Sequence, residues 1–195
     1  MPRVTKASQP SNSTCSKLGA MLIFLVGYAG CGKSSLGKRL ARRLGKQYVD
    51  TDKLVEREVG ATVADIFYYE GEEYFRSAER ATLERLVDEG FDGVVATGGG
   101  LAVWGDNMEQ MRGLGVTVYL RRSPKNIISR LSPYGRQKRP KIRGMNDEQL
   151  LEFMTAHMAE REPIYSQADV VLDCDKMADN EVIDTILQKI INLKR

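Results

Sequence analysis

The chain holds one histidine, one tryptophan and three cysteines in 195 residues. His157 alone cannot assemble a metal centre, and it is expected on a helix surface. Cys15, Cys31 and Cys174 are widely spaced and odd in number, so they predict neither a disulfide frame nor a zinc site. A reducing compartment suits them. No apolar run approaches the roughly 20 residues that span a bilayer. An Asn-Lys-x-Asp sequence for reading guanine is absent, which counts against a nucleotide switch. Acidic residues are missing from two stretches. Residues 1–20 carry Arg3, Lys6 and Lys17 alone, and residues 121–143 carry nine Lys or Arg. The formal net charge is only +3, so the remainder is negative by about nine charges. Basicity that local suits a compact polyanion, and a solvated basic loop is the plain alternative. Nucleic-acid surfaces add stacking aromatics, and only Tyr134 lies inside the stretch, which favours ATP over RNA or DNA.

What is present fits one globular domain: 42% hydrophobic and 28% charged residues, in a chain long enough to bury a core. Residues 1–20 are polar, rich in Ser, Thr and Pro, and aperiodic. They are expected to be a disordered extension or tag, and a transit peptide would want an amphipathic pattern that they lack. Residues 21–195 are expected to form the single domain.

Gly27-Tyr28-Ala29-Gly30-Cys31-Gly32-Lys33-Ser34 matches G-x-x-x-x-G-K-[ST] at every fixed position. Such a loop turns backbone N–H groups toward phosphate oxygens, so side chains at its glycines would be in the way. Lys33 can set a positive charge on the β- and γ-phosphates, and Ser34 can offer a hydroxyl to Mg²⁺. The context agrees. Leu22-Ile23-Phe24-Leu25-Val26 reads as a buried strand. After the loop, Leu36, Leu40 and Leu44 recur at the spacing of one helical face. A strand, a glycine loop and a helix N-terminus in succession make an anion site.

Further strands are expected at residues 47–50, 94–97, 116–120 and 170–173. Helices are expected near 52–59, 63–67, 72–88, 124–131 and 147–162, and from about 180. Alternating apolar strands and helices predict a parallel sheet covered on both faces, with ligands beyond the carboxyl ends of the strands. The polar clusters sit at those ends. In Asp50-Thr51-Asp52, residues i and i+2 of an extended chain share a side, so one carboxylate could serve Mg²⁺ through water and the other a substrate hydroxyl. A helix N-cap formed by Thr51 or Asp52 is the bland alternative. Arg76 and Glu79 share a helical face, where Glu79 could steady the arginine for a substrate carboxylate or merely form a surface ion pair. Gly98-Gly99-Gly100 predicts a close backbone approach to a ligand or a flexible turn. Arg136, Lys138, Arg139, Lys141 and Arg143, broken by Pro and Gly, predict a lid that excludes water from the transferring phosphoryl. Arg161 falls near a helix end before Glu162-Pro163, where the helix dipole alone would favour a cation. Phe67 and Phe75 are expected in the core.

Taken in order, Gly27–Ser34, Asp50-Thr51-Asp52, Ile66-Phe67, Gly71-Glu72, Phe75-Arg76, Glu79, Gly98–Gly100, Arg139-Pro140 and Arg161-Glu162-Pro163-Ile164-Tyr165 resemble the shikimate kinase family over nearly all of residues 21–190. The resemblance implies an α/β P-loop kinase fold of three layers. Its five-stranded parallel sheet has the order 2-3-1-4-5, and a mobile lid spans about residues 130–146. It implies ATP-dependent phosphorylation of the shikimate 3-hydroxyl on the route to chorismate and aromatic amino acids. The rivals on this fold are gluconate and nucleotide kinases; a dead scaffolding homologue is disfavoured by the intact Lys33, Ser34, Asp52 and arginines.

By the same resemblance Lys33, Asp52 and Arg139 are catalytic. Gly30, Cys31, Gly32, Lys33, Ser34, Ser35, Arg130 and Arg139 bind ATP, with Arg130 on adenine and Arg136 its rival. Asp52, Arg76, Gly98, Gly99, Gly100 and Arg161 bind shikimate. Ser34 ligates Mg²⁺ directly and Asp50 through water. A cytoplasmic monomer is expected, with no nucleic-acid or membrane partner. Two departures stand out: Lys141-Ile142 replaces the usual paired leucines after Arg139-Pro140, and Cys31 sits inside the phosphate loop. Flanked by N–H donors and Lys33, Cys31 is expected to be oxidant-sensitive.

Overall fold

The structure, a computed structural model, describes residues 21–132, 135–136 and 142–193. Five strands form one sheet: β1 (Leu22–Val26), β2 (Gln47–Asp50), β3 (Gly93–Ala96), β4 (Gly115–Arg121) and β5 (Val170–Asp173). Their order is β2-β3-β1-β4-β5, and every pairing is parallel. The helices are α1 (Lys33–Leu44), α2 (Thr51–Val59), α3 (Val63–Tyr69), α4 (Gly71–Asp88), α5 (Asn107–Leu114), α6 (Pro124–Arg130), α7 (Asp147–Tyr165) and α8 (Asp179–Leu193). The expected architecture and strand order are those found.

Central β1 explains why its sequence is uniformly apolar. Ile23 and Leu25 face one core with Leu36 and Leu40 of α1 and Ile183, Ile186 and Ile190 of α8. Leu22, Phe24 and Val26 face a second core with Leu83 and Leu86 of α4, Met108 and Met111 of α5, and Tyr165 of α7. All five β1 residues are buried, and each fully buried side chain of this size stabilises by about 1.5–3 kcal/mol. A third cluster, Val55, Ile66 and Phe75 with Phe67 packed beside it, joins α2, α3 and α4. Phe75 is therefore core, as expected, and Phe67 lies at its edge.

Local signals set the helix ends. Asn146 and Gln149 form a reciprocal capping box at the start of α7. Ser123 caps α6, with Pro124 in its first turn. Gly45 closes α1 in a left-handed conformation at φ 63°. Two segments differ from expectation. Leu101–Val103 forms a 3₁₀ turn and Asn107–Leu114 a helix, where sequence reading assigned neither. Gly105, Asp106 and Gly113 mask that helix, leaving Met108 and Met111 as its buried apolar pair. Helix α7 also continues past Glu162 to Tyr165, with Pro163 inside it. That extra turn carries Tyr165 into the second core.

Candidate active site

The site begins where β1 ends. Gly27, Gly30 and Gly32 have φ of 135°, 89° and 106°, conformations that side chains strongly disfavour. Crowding adds to this at Gly27, where a Cβ would lie 3.0 Å from Leu120 O. Gly32 caps α1 without any side-chain hydrogen bond, so the first N–H groups of the helix remain for an anion. Lys33 is buried, and its Nζ donates to Gly27 O at 2.6 Å and Tyr28 O at 2.9 Å. The ammonium is thus held on the loop rather than extended into water.

Cys31 is fully buried and lies 3.7 Å from Lys33 Nζ. Burial removes the exposure that an oxidant-sensitive thiol requires, so the expected sensitivity does not follow. Cys174 is also a free, buried thiol, and burial pushes it up to about 12.

Parallel pairing brings the end of β2 alongside the loop. Ser34 Oγ donates to Asp50 Oδ2 at 2.7 Å. Asp50 also caps α2 by accepting from Lys53 N. The capping alternative holds here for Asp50, rather than for Thr51 or Asp52, and Asp50 does both jobs. Asp52 lies in the first turn of α2, so the shared-side argument from an extended chain does not apply beyond Asp50. Helical geometry turns Asp52 toward Gly98 instead. Burial first, then the Asp50 charge, push its carboxyl up to about 6 against the pull of Lys33 and Arg76.

The glycine triplet is explained by what surrounds it. A Cβ on Gly98 would overlap both Glu79 Oε1 and Asp52 Oδ1. One on Gly100 would overlap the Arg76 guanidinium, and one on Gly99 would meet Ala29 N of the phosphate loop at 3.0 Å. Gly98 N is fixed by Thr51 Oγ1 at 2.8 Å. The three glycines therefore let two carboxylates, a guanidinium and the phosphate loop converge on one turn.

Arg76 is buried and bonded to Glu79 Oε2 and, at 3.0 Å, to Glu72 Oε1. Its guanidinium lies 5.7 and 5.3 Å from the Phe67 and Phe75 ring centres. Glu79 is completely buried, and its Oε1 has no hydrogen-bond partner. Burial lifts its carboxyl to about 7, against the pull of Arg76. The surface-pair alternative for Arg76 and Glu79 is thereby excluded. On the far side, α7 sends Arg161 Nη1 to Gly99 O at 3.1 Å, where the Tyr165 hydroxyl also donates.

Arg130 Nη2 lies 3.4 Å from Asp179 Oδ1, beside Arg39 on the same carboxylate. Its rival Arg136 pairs with Asp147 at 2.5 Å. Arg139 lies outside the described residues. Sequence reading missed Arg122, which is buried just past β4. Its Nε donates to Cys31 O at 2.9 Å and its Nη1 to Cys174 O at 2.7 Å, tying the phosphate loop to the segment after β5. Its Nη2 makes no hydrogen bond but stands 3.8 Å from Asp179 Oδ1. The signal was its position at the carboxyl end of a central strand. His157 is half-buried rather than on an open helix surface, with Nδ1 2.7 Å from the Tyr28 hydroxyl.

Ser34 and Asp50 offer adjacent hard oxygen donors of the kind Mg²⁺ takes. Among the described residues no group of three or more His, Cys, Asp or Glu could hold a metal alone. Mg²⁺ shared with substrate phosphates needs no such cage. No helix among the described residues is long and apolar enough to cross a membrane.

A parallel sheet with a glycine loop leading into α1, a Ser–Asp oxygen pair beside it and a second, charged pocket adjoining define a P-loop kinase. The chain belongs to the shikimate kinase family, whose model matches residues 29–191. It is 41% identical over 174 residues to the shikimate kinase of Bacteroides fragilis, covering 88% of this chain and 96% of that one. Against the shikimate kinase of Symbiobacterium thermophilum it is 40% identical over 171 residues, covering 87% and 96%. The crystal structure of shikimate kinase from Bacteroides thetaiotaomicron matches with a TM-score of 0.78 at 35% identity, covering 90% and 99%. The solved structure of shikimate kinase from Acinetobacter baumannii in complex with shikimate matches with a TM-score of 0.81 at 32% identity, covering 93% and 98%. A gluconokinase from Sinorhizobium meliloti shares the fold at 19% identity, with a TM-score of 0.55.

Proposed function

We propose that the residues gathered at this rim carry the family's reaction, transfer of the ATP γ-phosphoryl group to the 3-hydroxyl of shikimate. The observation that supports the reading best is the turn at Gly98–Gly100. There Asp52, Arg76 and Arg161 meet directly beside the phosphate loop. Arg76 and Arg161 are planar forks suited to a carboxylate. Asp52 is the acceptor for the hydroxyl that attacks, and its raised basicity suits it to take the proton. Gly98, Gly99 and Gly100 let the ring lie against backbone. Gly30, Cys31, Gly32, Ser34 and Ser35 receive the phosphates on N–H groups of the loop and α1, with Lys33 on the β- and γ-phosphates. Phosphoryl transfer asks mainly for positioning and for positive charge on the equatorial oxygens, which Lys33 and, from the lid, Arg139 supply. Arg130 takes the adenine side.

Ser34 would hold Mg²⁺ directly and Asp50 through water, and the ion would supply positive charge to offset the negative charge that develops in the transfer. The protein works as a cytoplasmic monomer with ATP, Mg²⁺ and shikimate as its partners. A coupled ADP-release assay with shikimate, gluconate and AMP in parallel tests the reading. Release with shikimate alone, abolished by a Mg²⁺ chelator, is expected. Faster turnover of gluconate or AMP would overturn it.

A further inference from the structure

A phosphate loop leaves its x positions free, yet residue 28 is a tyrosine with only 8% exposure. Its neighbours give the side chain a use. The Arg161 guanidinium lies 5.8 Å from the Tyr28 ring centre. The hydroxyl is 2.7 Å from His157 Nδ1, and the two rings meet edge to face at 86°. His157 precedes Arg161 by four residues on α7, so both project from one face. Phe153, a further four residues back, packs on the imidazole with ring centres 5.3 Å apart. The Tyr28 carbonyl meanwhile accepts from Lys33 Nζ. The next residue, Ala29, abuts Gly99, whose carbonyl accepts from Arg161. These contacts close a circuit: Tyr28 ring, Arg161, Gly99, Ala29 and back to Tyr28.

We infer that Tyr28 is a positioning residue for shikimate recognition: its ring, fixed by His157, sets the Arg161 guanidinium beside the phosphate loop. This rests on the reading of Arg161 as a partner of the substrate carboxylate. An unsupported arginine must be ordered when the acid arrives, whereas one held over an aromatic face is ordered beforehand. The device also sets distance, because the residue that supports Arg161 holds the phosphate-binding lysine by its own carbonyl.

The test is a kinetic cycle on the full chain with shikimate and Mg-ATP. Tyr28→Leu keeps apolar bulk but removes the ring face and the hydroxyl. It should raise KM for shikimate about three- to tenfold, while KM for ATP moves less than twofold. Tyr28→Phe, which keeps the ring, should recover most of that loss. In an Arg161→Ala background, Tyr28→Leu should add no further increase in shikimate KM. A merely structural role would instead raise both KM values together, and the same factor would persist without Arg161. Either result overturns the inference. If Arg161→Ala itself leaves shikimate KM unchanged, the underlying site reading fails. If Arg161→Ala raises it and Tyr28→Leu does not, only the role of Tyr28 fails. Should Tyr28→Leu not fold, His157→Leu is read in its place. A selective rise in shikimate KM supports the inference, and no change overturns it.

Discussion

The Arg76 guanidinium fills the space that a side chain at Gly100 would need. Steric exclusion at a glycine thus fixes where a buried charge sits, and the ion pairs to Glu72 and Glu79 fix how it is turned. Gly100→Ala should push Arg76 off this position without touching the phosphate loop. Loss of a positioned charged contact costs about 2–5 kcal/mol when complete, and displacement forfeits part of that. KM for shikimate should therefore rise about tenfold or more, with KM for ATP within about twofold. Steady-state kinetics with each substrate varied in turn would check it, and equal losses for both substrates would contradict it.

Lys33 is held by two carbonyls at 2.6 and 2.9 Å and is buried. Lys33→Met keeps the bulk of the stem and removes the charge. It leaves two loop carbonyls without their donor, at a net cost of about 1–3 kcal/mol. Catalysis should suffer more. Removing one preorganised electrostatic group at a developing charge commonly lowers kcat by about 10²–10³. A turnover assay beside a thermal melt separates the two effects. Near-normal kcat in a folded variant would show that Lys33 does not stabilise the transferring group.

The phosphate loop, the strands and most helices were legible because each rests on a local rule: glycines at fixed spacing, apolar runs for strands buried on both faces, leucines every fourth residue. The strand order followed only from the family resemblance. Helix α5 was not legible, because two glycines and an aspartate obscure a helix held by the burial of Met108 and Met111. The glycine triplet was noticed, but its cause was hidden. Asp52, Glu79 and Arg76 reach it from α2 and α4, and only the fold brings these helices to the end of β3. Arg122 was missed for the same reason, since its partners Cys31 and Cys174 are far away in sequence. The extended-chain argument for Asp50 and Asp52 failed one residue too early, where the strand gives way to a helix that Asp50 itself caps.

Glu79 gives the protein a pH signature. Its carboxyl stands near 7 in the fold against an ordinary value of 4.5, raised by burial. Below about pH 4.5 the group is protonated both folded and unfolded and contributes no difference. Between 4.5 and 7 the unfolded chain releases the proton while the folded chain retains it, so stability falls as pH rises. Above 7 the loss is complete. Glu79→Gln abolishes this dependence. The difference in unfolding free energy between variant and parent should move in favour of the variant from pH 4.5 to 7 and then level off. Urea titrations at several pH values would measure it, and a difference independent of pH would show that Glu79 ionises normally in the fold.

Arg122 joins three segments that the sheet does not join directly. Its donors satisfy Cys31 O in the phosphate loop and Cys174 O after β5, and its third nitrogen faces Asp179 at the start of α8. Arg122→Met fills similar volume but leaves two buried carbonyls unpaired. A destabilisation of about 2–5 kcal/mol follows from unsatisfied buried acceptors and a broken charge contact. The phosphate loop should also lose this anchor at Cys31, so KM for ATP should rise while KM for shikimate changes little. That pattern opposes the one expected for Gly100→Ala, and measuring both variants together separates the two halves of the site. If Arg122→Met instead weakens shikimate and spares ATP, the bridge transmits to the acid pocket rather than supporting the phosphate loop.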